Sequence, residues 1–177
     1  RRTRRGVLRR DFEGGALRLT QIEGGPGSLF WSATVGPVAT GASLDFGSEI
    51  RDCLSNTGSE VLEVLFNVFH QDVRRAFDAV RERNAGIITK VPLDSGWLTG
   101  RFDAESRFEG IRARWSNDEI ARRAALVAEI DWLTDDGSEL AHKAIGYLLS
   151  YNEVSCVIPG IRTQQQLDSN LAASDYR

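Results

Sequence analysis

The sequence contains no methionine, so its first residue is not a natural translation start, and we expect a fragment or a processed chain. Cysteine is scarce as well, because Cys53 and Cys156 are the only two. A disulfide framework needs more, so we expect a reduced, cytoplasmic setting. No run of 18 consecutive apolar residues occurs, so we expect no transmembrane helix and no membrane partner.

The chain also lacks a large net charge of either sign. Its net charge of −3 over 177 residues gives no general attraction to nucleic acid. Residues 1–40 differ, with seven arginines against three acidic residues, and six of those arginines fall in residues 1–10. Such runs are usually solvated, and neither interleaved aromatics nor a nucleic-acid-binding module accompanies this one. We interpret residues 1–35 as an unassigned Arg/Gly-rich segment without regular structure, and residues 36–177 as the folded domain.

Apolar strands alternate with amphipathic helices from about residue 36. The predicted strands are 38–43, 61–68, 87–91 and 154–158. The predicted helices begin at Ser48, near Val73, after the capping boxes Ser116/Glu119 and Asp136/Glu139, and near Thr163. This alternation is typical of parallel βα units, and four of them fit either half of an eightfold barrel or a small open sheet.

Four motifs occur in an order that resembles one family. They are Gly36–Ser43 (GPVATGAS), Val61–Phe69 (VLEVLFNVF), Pro92–Gly100 (PLDSGWLTG) and Ile158–Asn170 (IPGIRTQQQLDSN). Each motif alone is weak evidence, but four in order at sensible spacing are strong. From about residue 36 the chain resembles the C-terminal half of an aldo-keto reductase.

The resemblance implies an α/β fold, namely the C-terminal half of a (β/α)8 TIM-type barrel with about four βα units. It further implies binding of NADP(H) and reduction of a small carbonyl substrate, an aldehyde or a ketone. Sites in such barrels lie at the carboxyl ends of the strands. The implied cofactor contacts are Ser43 to the nicotinamide carboxamide, the loop from Ser95 to Leu98 to the pyrophosphate, Gly160 and Arg162 to the 2′-phosphate or adenosine, and Gln166 and Asn170 to the adenine end. Pro92 and Leu93, at the start of the same loop, are implied cofactor-binding residues as well.

Two further cofactor positions depart from the family pattern. Glu63 stands where the family has a carboxamide-binding Gln, and Lys90 stands where an aromatic ring stacks on the nicotinamide. Both lie near the ends of adjacent predicted strands, so we expect them to form an ion pair. His142 has no second ligand at metal spacing, so no metal site is predicted.

The family's catalytic Tyr, Lys, Asp and His come from the first half of the barrel. Here the first Lys is Lys90, the first His is His70 and the first Tyr is Tyr147, so no catalytic residue is assigned. We therefore expect a cofactor-binding half of an oxidoreductase that is inactive by itself. The alternatives are a non-catalytic binding or accessory protein on the same scaffold, and a basic-tailed module that binds nucleic acid. Half a barrel also leaves strand edges unpaired, which predicts self-association.

Overall fold

The computed structural model describes the backbone of residues 11–12, 15–16, 18–23, 29–34 and 40–175, and the side chains of residues 40–110 and 113–175. These residues divide into two compact units. Unit 1 contains the described residues up to Phe66 together with His70–Lys90 and Asn152–Cys156. Unit 2 contains Asn67–Phe69, Val91–Tyr151 and the described residues from Val157 onward.

The N-terminal segment contains two antiparallel strand pairs, where the sequence analysis expected no regular structure. The strands are β1 (Asp11–Phe12), β2 (Gly15–Ala16), β3 (Arg18–Glu23) and β4 (Leu29–Thr34). β1 pairs with β2 and β3 pairs with β4. β3 and β4 contain Leu, Ile, Thr, Phe and Trp, residue types that favour strands. The arginine run at 1–10 lies outside the described residues, and the domain boundary after residue 35 stays a prediction.

The four predicted strands of the folded domain form one sheet in the order β5-β6-β7-β8. Their bounds are β5 (Gly41–Leu44), β6 (Val61–Leu65), β7 (Gly86–Lys90) and β8 (Val154–Val157). The β5/β6 and β6/β7 pairs are parallel, with Ser43 opposite Glu63 and Leu65 opposite Lys90. Parallel neighbours require a crossover, and the helices supply it.

Helices follow the strands along the chain, as the sequence predicted. They are α1 (Gly47–Asn56), α2 (Phe77–Glu82), α3 (Asn117–Glu129), α4 (Leu140–Leu149) and α5 (Gln164–Ala172). Short 3₁₀ helices lie at Asp72–Ala76, Asp94–Thr99, Gly110–Arg114, Asp131–Thr134 and Ala173–Asp175. Asn84, after α2, has the left-handed backbone (φ 51°) expected of a residue that ends a helix.

One face of the sheet is buried and the other is half-buried. Leu62, Val64 and Ile87 have no exposed surface, and Ile50 of α1 and Val80 of α2 are equally buried. Alternate residues of the same strands, which point to the opposite face, are only partly covered. That half-buried face carries Ser43, Glu63 and Lys90.

The helix starts agree with the sequence in one case and differ in another. At α3, the Ser116/Glu119 capping box is confirmed, because Glu119 Oε2 accepts the Ser116 N–H at 2.8 Å and Ser116 Oγ accepts the Glu119 N–H at 3.3 Å. At α1, the prediction that Ser48 caps the helix is wrong. Phe46 holds the N-cap position without a side-chain cap, and Glu49 Oε2 accepts the Phe46 N–H at 3.1 Å, which is the contact that the glutamate of a capping box makes.

The predicted Asp136/Glu139 capping box at α4 is also wrong. α4 begins at Leu140, so Glu139 itself holds the N-cap position. Asp136 instead accepts the Ser138 N–H at 3.0 Å and pairs with Lys143 Nζ at 2.6 Å. The Lys143 and Ser138 hydrogen bonds hold the pKa of Asp136 well below its ordinary value. The carboxylate thus joins the loop before the helix to Lys143, the fourth residue of α4.

Candidate functional site

A pocket of about 540 Å³ lies within unit 2. Three segments line it: the loop that follows β7, the first turn of α4, and the chain from the end of β8 into α5. Seven of the predicted cofactor residues are brought together here. They are Pro92, Leu93, Ser95, Gly160, Arg162, Gln166 and Asn170.

The first wall is the loop after β7, which has an unusual backbone. Val91, Asp94 and Ser95 have φ angles of 52°, 45° and 59°, and Gly96 has a φ of 106°. Positive φ is uncommon for any residue except glycine and is most unfavourable for a β-branched one such as Val91. Strained backbone of this kind concentrates at ligand-binding sites, which makes this loop the first candidate contact.

An aromatic cluster fixes the far side of the same loop. Trp97 is fully buried, and its ring centroid lies 5.5 Å from that of Phe102, 5.8 Å from that of Phe108 and 5.9 Å from that of Trp115. Leu98, predicted to contact the pyrophosphate, is also fully buried and does not line the pocket. The two tryptophans therefore pack the loop onto α3 rather than cover a ligand.

The second wall is the turn from β8 into α5. Thr163 is the N-cap of this nine-residue helix, and its Oγ1 accepts the Gln166 N–H at 3.2 Å. Gln166 Oε1 in turn accepts the Arg162 N–H at 2.7 Å. These two bonds fix the turn at the helix N-terminus, where the helix dipole favours an anion. Arg162 lines the pocket at this turn.

Two arginines, Arg101 and Arg162, line the pocket. Among residues 40–110 and 113–175, neither Arg101 nor Arg162 makes a side-chain hydrogen bond or a salt bridge. Asn170 adds a buried donor, because its Nδ2 has no acceptor among those same residues. The sequence analysis missed Arg101, although its place directly after the glycine that ends the third motif was a usable signal.

A carboxylate on the pocket wall was also missed. Glu139, at the N-cap of α4, accepts a hydrogen bond from Ser169 Oγ at 2.9 Å. His142 Nε2 lies 2.9 Å from the same hydroxyl. Since the hydroxyl donates to Glu139, the imidazole Nε2–H donates to the hydroxyl. The sequence analysis assigned Glu139 only to a capping box, because its place on the pocket wall depends on the fold.

The remaining predicted residues lie together in unit 1. Lys90 Nζ donates to Ser43 Oγ at 2.9 Å and pairs with Asp45 Oδ1 at 2.8 Å. The predicted ion pair between Lys90 and Glu63 is therefore wrong. Glu63 lies opposite Ile88, two residues before Lys90 in the register, whereas Asp45 lies just beyond the end of β5, within reach of the ammonium group.

Neither a membrane-spanning helix nor a metal site is found among the residues that the structure describes. Within the residues described, no helix is long and apolar enough to cross a bilayer. The same residues contain no group of three or more His, Cys, Asp or Glu side chains placed to hold a metal ion.

Comparison with known proteins identifies one family and one fold. The model of the aldo/keto reductase family matches residues 49–177. The structure is similar to the apo form of the aldo-keto reductase AKR11C1 from Bacillus halodurans, with a TM-score of 0.56 and 18% identity over 72% of this chain. It is also similar to the holo form of that enzyme, with a TM-score of 0.58 and 21% identity over 75% of this chain. No curated protein matches the sequence.

The chain spans only part of those neighbours, 42% of the length of the first and 43% of the second. The parallel sheet with alternating helices is therefore part of a (β/α)8 barrel, which confirms the predicted fold class.

Proposed function

Because this chain belongs to the aldo/keto reductase family, we propose that it binds the phosphate end of NADP(H) for an oxidoreductase that reduces an aldehyde or a ketone. The family generally uses nicotinamide cofactors. The observation that carries the proposal is that Arg101 and Arg162 line one pocket and that, among the described residues, neither pairs with a carboxylate, although Glu139 lines the same pocket. Guanidinium groups form forked, charge-assisted hydrogen bonds with phosphate oxygens and keep their charge at every physiological pH.

The rest of the pocket suits a nucleotide. The N-terminus of α5 adds partial positive charge beside Arg162. Asn170 Nδ2 offers a buried donor to an acceptor of an adenine ring, and Gln166 lies on the same wall. The volume of about 540 Å³ is typical of a site for a small organic ligand and accommodates only part of an extended dinucleotide. Under this proposal the pocket receives the adenosine and phosphate end.

When bound, NADPH supplies a hydride to the carbonyl carbon. The residues of this chain bind and orient that cofactor, and none of them is assigned to proton transfer. A tyrosine of ordinary pKa, about 10, needs neighbouring groups to donate a proton at neutral pH, and this chain supplies no such set. We therefore propose that the chain by itself binds NADPH without turning over substrate. A cytoplasmic location stays a prediction from its cysteine content.

A second function, a non-catalytic binding or accessory role, is favoured by one observation. In unit 1, Lys90 occupies the place of the aromatic that stacks on the nicotinamide, and it donates to Ser43, the predicted carboxamide contact. Asp45 neutralises its charge. A side chain so engaged does not offer a stacking surface, so a chain that binds phosphate without orienting the nicotinamide is the competing proposal.

The experiment compares NADPH with NADH by fluorescence titration of the full chain. The two ligands differ by the 2′-phosphate, so two available guanidinium groups predict binding at least tenfold tighter for NADPH, which corresponds to about 1.4 kcal/mol. Equal affinities would exclude a 2′-phosphate site. A second measurement distinguishes the oxidoreductase from the accessory role. A carbonyl substrate is added together with a catalytic N-terminal half of the barrel, and turnover is measured. Turnover supports the oxidoreductase, and tight NADPH binding without turnover supports the accessory role.

A further inference from the structure

The loop that begins at Val91 has a conformation that its own residues do not favour. Val91 is β-branched, has a φ of 52° and precedes Pro92, and a residue before proline prefers extended backbone. Asp94 and Ser95 are left-handed as well. A conformation of this kind persists only where surrounding contacts impose it. The contacts that do so are found at two points.

The first point is Asn67, two residues after the end of β6. Its side chain is fully buried, and Nδ2 donates to the carbonyl oxygen of Val91 at 2.9 Å. Its Oδ1 accepts the N–H of Phe69 at 2.9 Å, which fixes the orientation of the amide. The bond to Val91 joins segments 24 residues apart and holds the peptide at which the loop turns left-handed.

The second point is Asp94, whose carboxylate is buried and forms a salt bridge with Arg123 of α3. The guanidinium carbon of Arg123 lies 5.0 Å from the ring centroid of Trp115. The same arginine thus joins the loop to the helix and to the aromatic cluster. Because a buried carboxylate is unfavourable without its partner, Arg123 makes the left-handed conformation of Asp94 the stable one.

We propose that Asn67 and Arg123 are positioning residues that hold the Val91–Gly96 loop in the conformation that meets the pyrophosphate of the bound dinucleotide. This inference rests on the proposed function. Neither residue lines the pocket, so each acts through the loop, whose residues Pro92, Leu93 and Ser95 do line it. Their effect falls on the pyrophosphate and not on the phosphate at the Arg162 wall.

The test uses the full chain and the variants Asn67→Ala and Arg123→Gln. Hydrogen exchange of the loop amides is measured first without ligand, with the amides of α5 as the internal reference. NADPH and adenosine 2′-monophosphate are then titrated. The mononucleotide lacks the pyrophosphate and reports only the contacts to the 2′-phosphate and the adenosine. A further variant, Val91→Gly, is introduced into the Asn67→Ala chain, because glycine adopts positive φ without strain.

We expect faster exchange in the loop of both variants and unchanged exchange in α5. NADPH should bind about 3- to 10-fold more weakly, as for the loss of one buried hydrogen bond, and adenosine 2′-monophosphate should bind as before. Val91→Gly should restore most of the loss in the Asn67→Ala chain. Unchanged loop exchange, or equal weakening of both ligands, would overturn the proposal. A wild-type chain that binds neither ligand would instead overturn the proposed function, while exchange would still decide whether the two residues hold the loop.

Discussion

Replacement of Trp97 by alanine should destabilise unit 2 more than any surface change of equal size. The indole is fully buried and packs against Phe102, Phe108 and Trp115 with centroid distances of 5.5 to 5.9 Å. Removal of a buried Trp or Phe side chain in favour of alanine typically costs about 3–5 kcal/mol, from lost transfer free energy and the cavity left behind. We expect the lower part of that range if the aromatic cluster collapses into the space.

Trp97→Phe should be much milder, for a reason particular to this site. The indole Nε1–H is buried and has no acceptor among the residues described. An unsatisfied buried donor costs about 1–3 kcal/mol, and phenylalanine removes it. This gain offsets most of the area lost with the smaller ring, so we expect a net change of about 1 kcal/mol or less.

The assay is urea unfolding followed by circular dichroism, with Trp132→Ala as the matched control. Trp132 has the same side chain but is 65% exposed, so its removal should change the free energy of unfolding by less than about 0.5 kcal/mol. Equal shifts for Trp97→Ala and Trp132→Ala would refute the claim that the aromatic cluster holds the loop in place. A large loss for Trp97→Phe would refute the account of the unsatisfied indole.

Three further predictions concern a helix cap, an exposed carboxylate and the strand edges. Ser116→Ala should lower the free energy of unfolding by about 1 kcal/mol, as measured in urea, because it removes the confirmed cap of α3. Asp136, whose pKa is lowered by Lys143 and Ser138 from 3.8, stabilises the fold above that pH, and the stabilisation is lost as pH falls through the lower folded value. Asp136→Asn should therefore be less stable than wild type at neutral pH and lose less on acidification, and parallel pH curves for the two chains would contradict this. Self-association through the strand edges should appear as a sedimentation coefficient that rises with concentration, and a concentration-independent monomer would exclude it.

Local pattern was sufficient to predict the strands and helices of the folded domain. Runs such as Val61–Leu65 and Gly86–Lys90 are rich in β-branched and other apolar residues, which indicates strands, but their alternating burial was not predicted from residue type. The Ile158–Asn170 motif likewise identified Arg162 and Asn170, which the structure places in one pocket. Residues close in sequence determine such features, so no knowledge of the fold was needed.

Features that depend on distant partners could not be predicted in this way. Lys90 pairs with Asp45 rather than Glu63 because the sheet register, which no motif encodes, sets the distances. Glu139 reaches the pocket because the start of α4 and the middle of α5 come together through Ser169. Leu98 fits the family motif but belongs to the core, since a motif records residue types and not the direction of a side chain.

The central claim, that Arg101 and Arg162 bind the phosphates of NADPH, is tested most directly by titrating NADPH into three chains. These are the wild type, the double variant Arg101→Ala/Arg162→Ala, and the control Arg83→Ala, which removes an exposed arginine that does not line the pocket. The account predicts binding that weakens steeply with salt, is unchanged in the control, and falls about 100-fold or more in the double variant, since a hydrogen bond to a charged group contributes about 1.5–3 kcal/mol. A folded wild-type chain that does not bind NADPH, or a double variant that binds as tightly as the control, would contradict it.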